Sequence, residues 1–176
     1  MKTKLLLVAL IFVLIGCQNQ SDKEVLEKYK AQSKIEKQNK EIAKEVFAAI
    51  DKNDFEKLKQ LLADDYVLKV PGLTEPITRD QIFELIKAHY TSFPDWKHKL
   101  EDLIAEGDRV SLKTVEEGTH KATYEGIAPT GKKAGMTGFH ILAIKNGKVV
   151  EAWAMNDNLG FMTQLGMELK LAKGKK

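Results

Sequence analysis

Cysteine is almost absent from this sequence, which contains a single one, Cys17. With only one cysteine, no disulfide can form within the folded part of the chain. A cysteine-based metal site and a thiol nucleophile are excluded there for the same reason. The stability and the chemistry of the fold must therefore come from packing, from hydrogen bonds and from other side chains.

Arginine is also scarce. Only Arg79 and Arg109 occur, and every other basic residue is a lysine interspersed with Asp and Glu. Bidentate recognition of phosphate and of guanine favours arginine, so this composition argues against a protein that binds nucleic acid. Without Lys2 and Lys4 the basic residues fall from 28 to 26 against 25 acidic ones, which leaves the chain nearly neutral.

Motifs for nucleotides and metals are missing as well. The sequence has no glycine-rich dinucleotide motif, no P-loop and no Gly-x-Ser-x-Gly segment. Its histidines are too widely spaced along the chain to indicate metal ligands. We therefore expect no cofactor and no metal. The four histidines are His89, His98, His120 and His140.

The one long hydrophobic run, Leu5 to Ile15, is too short to cross a membrane. Eleven helical residues rise about 16 Å, whereas a bilayer core is ~30 Å thick. Residues 1–16 are therefore predicted to be a signal peptide. The run ends in Leu-Ile-Gly before Cys17, which resembles a bacterial lipobox and predicts acylation of Cys17, for example by palmitate, and anchoring to a membrane of the cell envelope. The alternative is a plain cleaved signal followed by a chance cysteine.

The rest of the chain is predicted to form one α+β domain. Residues 17–38 are polar and read as a tether, residues 39–168 as the domain, and residues 169–176 as a basic tail. Apolar spacing and capping residues predict three helices, the third capped by Thr78 with Gln81. Four long strands and a last helix follow, which predicts a curved antiparallel sheet wrapped around the N-terminal helices.

Two sheet faces follow from the turn at Asn146-Gly147, a strong type I′ hairpin signal. With a two-residue loop, His140 opposes Trp153, and one face is polar. The other face carries Phe139 and Ile141 with small apolar residues, and it could pack on the helices or form a homodimer. A bulge in either strand would exchange the two faces. The predicted polar face consists of His140, Glu151, Trp153, Met155 and Asp157.

Asp157 is the candidate acid/base residue of that face. It lies at the end of the last strand, and Met136 and Met155 are expected beside it. Apolar surroundings would favour its protonated form near neutral pH and make it a usable proton shuttle. Alternatively, Asp157 only caps the helix that follows.

The remaining histidines have weaker assignments. His89 falls in the last turn of the third predicted helix, where the helix dipole favours a protonated, structural imidazole. His98 alternates with lysines, which predicts a surface position. His120 could face either side of the sheet.

Several segments resemble the SnoaL-like polyketide (ester) cyclases. They are FPDW (93–96), EDLIAEGDRV (101–110), GTH (118–120), GIAPTGK (126–132), NGKVVEAW (146–153), and Asp157 followed by LGFMTQLG (159–166). The resemblance implies a nuclear-transport-factor-2-like cone around an apolar pocket, and a cofactor-free aldol-type or isomerase reaction on a small apolar carbonyl compound.

The same resemblance implies roles for individual residues. Asp157 would be the acid/base, and His140 or His120 would hold the enolate. The substrate would be bound by residues of the expected pocket. Because this fold also hosts proteins that only bind ligands, a lipid-anchored binding module for a small apolar molecule is the alternative. The expected substrate-binding residues are Trp96, His120, Met136, Glu151, Trp153 and Met155.

Overall fold

The computed structural model describes the backbone of residues 2–168 and of residue 170, and within that range the side chains from residue 22 onward. The side chain of Cys17 and most of the predicted basic tail lie outside the described residues. The chain forms four helices and six strands within the described range. These are α1 (Lys2–Asp51), α2 (Phe55–Leu61), β1 (Leu62–Lys69), β2 (Ile77–Thr78), α3 (Arg79–Ser92), β3 (Lys97–Glu106), β4 (Arg109–Thr119), β5 (Lys133–Lys145), β6 (Lys148–Asn156) and α4 (Asn158–Leu165).

Helix α1 changes character along its length. Side chains between residues 22 and 38 are almost all exposed, whereas Ala43, Val46 and Phe47 are buried against the sheet. The change follows from the sequence, because apolar residues at helical spacing begin only near Ile42. Among the described residues, no helix is both long and apolar enough to cross a membrane.

The predicted start of the third helix is confirmed by its cap, and the start of α2 is capped as well. Thr78 and Gln81 form a reciprocal capping box at the start of α3. The carboxylate of Asp54 accepts a hydrogen bond from the backbone N–H of Lys57 at 2.9 Å at the start of α2. These contacts satisfy N–H groups that have no partner within the helix.

The sheet has the strand order β2-β1-β6-β5-β4-β3. Strands β3 to β6 form the expected antiparallel meander, but β1 pairs with β6 in parallel. The α+β class is therefore confirmed, and the purely antiparallel sheet is corrected to a mixed one. The parallel pair is possible because a long stretch, α3 with the first three meander strands, separates β1 from β6 and allows the chain to return.

The predicted register of the last hairpin is wrong beyond its first two residue pairs. Lys145 opposes Lys148 as expected, but Val150 is an extra residue in β6, so Ala143 opposes Glu151 and His140 opposes Ala154. A single bulged residue exchanges the two faces of every later position. The inner face of β6 thus carries small residues instead of the indole.

The inner face of the sheet packs on the buried side of α1 and on α2 and α3. This interior contains two apolar clusters, one centred on α1, α2 and the middle of the sheet, and the other at the α4 end. The second cluster is mainly aromatic and includes Phe93, Trp96 and Phe161. Polar side chains lie in the interior near both clusters, and they form the candidate site.

Candidate active site

Register brings the interior polar residues together on neighbouring rungs of the sheet. His98 on β3 directly opposes Glu116 on β4. On the next rung, Thr114 opposes Gly138, and Gly138 opposes Asn156 on β6. Because residues directly opposed in a sheet share a face, all of these point to the same side. His140 lies one rung further along the same face of β5.

Glu116 is the central carboxylate of this cluster. Its side chain is only 5% exposed, and it lies between two imidazoles. Its Oε2 is 3.6 Å from Nε2 of His98, and its Oε1 is 3.7 Å from Nε2 of His140. The hydroxyl of Thr114 donates to Oε1 at 2.5 Å. A buried carboxylate needs such partners, because burial without them strongly disfavours its charge.

His98 is held from its other side by the last residue of α1. Its Nδ1 is 2.6 Å from Oδ1 of Asp51, and its backbone N–H donates to the same carboxylate at 3.2 Å. The hydroxyl of Tyr90 on α3 donates to Asp51 at 3.1 Å. The end of α1 and the last turns of α3 thus fix the orientation of one imidazole on β3.

The hydrogen bonds assign the protons of both imidazoles. An ionised carboxylate only accepts hydrogen bonds, so Nδ1 of His98 carries a hydrogen toward Asp51 and its Nε2 faces Glu116. The single hydroxyl hydrogen of Thr114 is used for Glu116. The 3.1 Å contact between Thr114 Oγ1 and His140 Nε2 is therefore a bond that the imidazole donates. Glu116, His98 and His140 together can accept, hold and return a proton.

Both carboxylates of the cluster have pKa values below their ordinary range. Burial is the largest single influence on Glu116 and raises its pKa. The imidazole of His140, the charge of His98 and the hydroxyl of Thr114 together outweigh that effect and lower it. At Asp51 burial also acts upward, and the hydrogen bond and charge of His98 bring the pKa below normal. Both groups are thus ionised at neutral pH.

Helix α1 covers this cluster with one side chain. The ring of Phe47 lies 5.3 Å from the His98 ring and 5.2 Å from the His140 ring, centroid to centroid. Phe47 is 5% exposed and belongs to the apolar core around α1. A substrate that reached both imidazoles would have to displace this ring.

Gly138 explains how His140 reaches Glu116 from a neighbouring rung. A Cβ at Gly138 would lie only 2.7 Å from Nε2 of His140. The missing side chain therefore leaves the space into which the imidazole leans toward Thr114 and Glu116. A larger residue would push the imidazole back toward its own rung.

His140 is the one predicted catalytic residue that the structure places in this cluster. Asp157 is exposed, and its carboxylate accepts a hydrogen bond from the backbone N–H of Gly160 at 2.8 Å as the N-cap of α4. It borders an open groove of about 460 Å³ on the sheet, which Met136, Lys133 and Gln164 also line. The expectation that Asp157 lies inside an apolar cavity is therefore wrong, and the capping alternative is confirmed.

The bulge at Val150 moves three further predicted pocket residues to the outer face. Trp153 is 42% exposed and Met155 is 60% exposed. Glu151 binds Lys69 at 2.6 Å and accepts a hydrogen bond from the indole of Trp153 at 3.2 Å. These side chains form a surface ion pair and an exposed apolar patch, and none of them faces Glu116.

The other predicted pocket residues belong to the aromatic cluster near α4. Trp96 and His120 are fully buried, and Met136 packs against the cluster. The His120 ring stacks on Phe93 with 5.1 Å between centroids, and its Nδ1 accepts from the backbone N–H of Thr130 at 3.2 Å. These contacts hold the loop after β4 against the end of the sheet.

Two of the histidine assignments need correction. His98 is in the interior, because it shares a strand face with Trp96 and Leu100, and that alternation was a usable signal. His89 is not protonated. Burial among aromatic rings lowers its pKa to about 4, which outweighs the helix dipole.

Sequence reasoning missed the central residue, Glu116. Along β4, the buried positions alternate regularly through Val110, Leu112 and Thr114 to Glu116. That period of two was visible in the sequence and would have placed the carboxylate inward. Asp51 and Tyr90 had no such signal, because their contacts depend on how α1 and α3 lie against β3.

In the part of the chain that the structure describes, no group of three or more His, Cys, Asp or Glu side chains has the geometry to hold a metal ion. The chemistry that the arrangement offers is proton transfer. It provides an ionised carboxylate, an imidazole oriented by a second carboxylate, and an imidazole N–H beside them.

Comparison with known proteins finds a family that matches this chain and solved structures that share its fold. Residues 40–165 match the family described as SnoaL-like polyketide cyclase. IdmH of Streptomyces antibioticus, a proposed polyketide cyclase, is 28% identical over 73% of this chain and 99% of its own, with a TM-score of 0.68. A proposed polyketide cyclase of Acidithiobacillus ferrooxidans is 25% identical over 73% of this chain and 94% of its own, with a TM-score of 0.66.

A third structure, AclR of Streptomyces galilaeus, a proposed hydroxylase, shares the fold at 24% identity. The similarity covers 74% of this chain and 97% of AclR, with a TM-score of 0.69. No curated protein matched the chain. The expected cone-shaped α+β fold is confirmed by these neighbours.

Proposed function

We propose, because this chain belongs to the SnoaL-like polyketide cyclase family, that its interior carries out proton transfer on a small apolar carbonyl compound without a cofactor. The family membership supports a cyclase or isomerase. The observation that carries the proposal is the buried carboxylate of Glu116 between the imidazoles of His98 and His140. The substrate class and the route of the proton are the proposed parts.

Glu116 is the general base in this scheme. Its carboxylate takes a proton from the carbon next to the substrate carbonyl. The electron pair of that C–H bond becomes the C=C bond of the enolate, and the π pair of the C=O bond moves onto the oxygen. His98 lies on the other side of the same carboxylate and can exchange the proton with it, since Asp51 keeps its Nε2 directed there. Returning the proton to a different carbon completes an isomerisation. In an aldol cyclisation the enolate carbon instead forms a C–C bond with a second carbonyl of the same molecule, and the proton goes to the alkoxide that results.

His140 stabilises the enolate in this scheme. Its Nε2–H now donates to Thr114 at 3.1 Å and can turn to a substrate oxygen that displaces this contact. A hydrogen-bond donor fixed inside a dry interior stabilises developing negative charge more than it would in water. The two faces of the substrate carbonyl unit thus meet different groups, a base and a donor.

The position of Phe47 favours a second candidate function, that of a module that binds a ligand without catalysing a reaction. Its ring packs on both imidazoles and belongs to the apolar core around α1. If an apolar ligand replaced this ring, the chain could hold the ligand while Glu116 and His98 served only to stabilise the interior. The two candidates differ in whether a proton leaves carbon.

The test is proton exchange at carbon. The full chain in detergent micelles is mixed with 2-tetralone in D₂O, and loss of the α-proton signals is followed by NMR. We expect exchange faster than in buffer, and a drop of roughly 100-fold or more in Glu116→Gln, because general-base catalysis contributes about that much. Glu117→Gln is the matched control, since Glu117 is exposed and pairs with Lys133 at 2.6 Å.

Equal exchange rates in wild type and Glu116→Gln would contradict the catalytic proposal. Binding of 2-tetralone with no exchange above buffer in either protein would support the binding module instead. Only a rate that depends on Glu116 and not on Glu117 identifies the buried carboxylate as the base.

We also propose that acylated Cys17 anchors the protein to a membrane of the bacterial cell envelope. The support is the Leu-Ile-Gly-Cys sequence at the end of an eleven-residue apolar run. The exposed stretch of α1 between residues 22 and 38 would then separate the lipid from the domain. Labelled palmitate should appear in the wild-type chain and not in Cys17→Ser, and that variant should leave the membrane fraction. Labelling that persists in Cys17→Ser would refute the anchor.

A further inference from the structure

We propose that Tyr90 and Asp51 are a pair of positioning residues, which keeps Nε2 of His98 free of hydrogen. That nitrogen can then receive the proton that Glu116 takes from the substrate. The inference rests on the proposed function for the reaction, and it adds the direction in which the proton moves inside the cluster. Neither Tyr90 nor Asp51 needs to touch the substrate, because both act through the imidazole of His98.

His98 lies between two carboxylates that compete for the hydrogen of its imidazole. Its Nδ1 is 2.6 Å from Oδ1 of Asp51, whereas its Nε2 is 3.6 Å from Oε2 of Glu116. The first distance is that of a hydrogen bond, and the second is too long for one. Two acceptors that face each other with no hydrogen between them repel. The difference between the two distances therefore places the hydrogen on Nδ1 and leaves a lone pair on Nε2.

Asp51 occupies a position that is unfavourable for a carboxylate. It is the last residue of α1, where the helix dipole disfavours negative charge, and its side chain is only 17% exposed. A residue that breaks a local preference of its own helix is expected at a functional site. The donors that hold this charge come from outside α1, so the carboxylate stabilises the imidazole on β3 and not the helix that carries it.

Tyr90 fixes the carboxylate of Asp51 in this orientation. Its hydroxyl donates to Oδ1 at 3.1 Å, and the same oxygen accepts from Nδ1 of His98. Burial, and after it the charge of Asp51, raise the pKa of Tyr90, so the hydroxyl keeps its hydrogen and remains a donor. The backbone N–H of His98 donates to this oxygen at 3.2 Å. The carboxylate is thus held by α3 and by β3 at once.

This orientation gives the proton a direction. Once Glu116 has taken a proton from carbon, its carboxyl group becomes a donor and can pass that proton to the lone pair on Nε2 of His98. The imidazolium that forms carries a hydrogen on each ring nitrogen, and the charge of Asp51, 2.6 Å from Nδ1, stabilises it. Glu116 is then ionised again, and the proton returns to the product by the same route.

Without the carboxylate of Asp51, the hydrogen should move to the other ring nitrogen. Nε2–H of His98 would then donate to Glu116, the remaining carboxylate beside the ring. A carboxylate that already accepts this bond is a weaker base, and the ring has no lone pair on that side to receive a proton. Asp51→Leu, a change to a side chain of similar shape, should therefore slow exchange at 2-tetralone by roughly 10-fold or more.

The experiment observes the two ring nitrogens directly. The full chain, labelled with ¹⁵N-histidine, is studied by NMR in detergent micelles at about pH 9, well above the ordinary pKa of histidine. The chemical shifts show which nitrogen carries the hydrogen, and the signals of His98 are those that disappear in His98→Gln. We expect the hydrogen on Nδ1 in the wild-type chain and on Nε2 in Asp51→Leu. Asp65→Leu, the same change at an exposed aspartate, should leave the shifts and the exchange rate unchanged.

Tyr90→Phe is the milder variant and serves as the test if Asp51→Leu does not fold. It removes one hydrogen bond to Asp51 and keeps the ring in the aromatic cluster. We expect part of the His98 population to carry its hydrogen on Nε2, and exchange at 2-tetralone to slow by roughly 2- to 5-fold. Tyr124→Phe is the control, because Tyr124 packs against the same cluster while Tyr90 supplies the hydroxyl at Asp51.

Hydrogen on Nε2 of His98 in the wild-type chain would overturn the proposal. So would a hydrogen that stays entirely on Nδ1 in the folded variants of Asp51 and Tyr90. Either result leaves the proton-transfer proposal intact if exchange at 2-tetralone still depends on Glu116. Conversely, a tautomer that depends on Asp51 in a chain without exchange would keep the oriented imidazole and remove the reaction.

Discussion

At the scale of single residues, the interior holds titratable groups in two different ways. Glu116 is buried with hydrogen-bonding partners, and its pKa is lowered by them. His89 is buried among aromatic rings, 4.5 Å from Trp96 and 5.0 Å from Phe93 between centroids, and its Nε2 has no hydrogen-bond partner. The first arrangement favours the charged form, and the second favours the neutral form.

His89 therefore makes folding stability depend on pH. Its pKa falls from 6.5 to about 4 on folding, so between these values the unfolded chain binds more protons than the folded one. Stability from this group is complete above pH 6.5 and is lost as the pH falls toward 4. We expect the free energy of unfolding, measured with urea, to fall with pH in both proteins. Over this range it should fall by up to about 3 kcal/mol less in His89→Phe than in wild type. Equal losses in both would show that His89 is not buried as a neutral imidazole.

Prediction of single residues from the sequence was limited to what the alternation of residues along one strand can show. The strand period of two could have placed Glu116 and His98 inward, because each alternates with apolar residues. It could not place Asp51, whose carboxylate matters only because α1 ends beside β3. The structure places His140 beside Glu116, although the predicted face was derived from a wrong register.

At the scale of elements, one bulge and one helix decide what the site contains. The Asn146-Gly147 turn was predictable, since its residues favour positive φ, and both have it, at 51° and 77°. The bulge at Val150 was not predictable, because an extra valine in an apolar strand has no signature of its own. Trp153 and Asp157 were therefore assigned to the interior, and the structure places both outside.

Phe47 of helix α1 packs over both imidazoles of the cluster. Phe47→Ala should remove about 3–5 kcal/mol of unfolding free energy, the usual effect of truncating a buried phenylalanine. If the ring covers a working site, the same variant should also exchange the α-protons of 2-tetralone faster than wild type. Phe139→Ala is the matched control, because Phe139 is 59% exposed on the outer face of β5. A stability loss without faster exchange would show that Phe47 is only a core residue.

At the scale of the whole molecule, the outer sheet face carries an exposed apolar patch. The side chains lie on adjacent strands, with Phe139 opposite Met155 and Ile141 opposite Trp153. Each of the four is more than 40% exposed. Contiguous apolar surface of this kind marks interaction sites. We propose that it joins two copies of the chain. The sequence had suggested this for the sheet face with Phe139 and Ile141, although Met155 and Trp153 now take the place of the small residues of β6.

The proposed dimer can be tested directly by measuring the mass of the protein in solution. Wild type should sediment as a dimer at micromolar concentration, and Ile141→Glu should sediment as a monomer, because the interface would have to bury a carboxylate from each copy. Leu85→Glu is the control, since Leu85 is 51% exposed on α3, away from the sheet. A monomeric wild type, or a dimer that tolerates Ile141→Glu, would contradict the proposed interface.

The central claim of this account is that the interior of the cone holds Glu116 as an ionised base between two imidazoles. The most direct measurement is the titration of its side-chain carboxyl carbon by ¹³C NMR. We predict a pKa below the ordinary value of 4.5 in the wild-type chain. In His140→Phe, which removes the imidazole 3.7 Å from Oε1 of Glu116, the pKa should be higher. A wild-type pKa above 4.5, unchanged in His140→Phe, would contradict the claim.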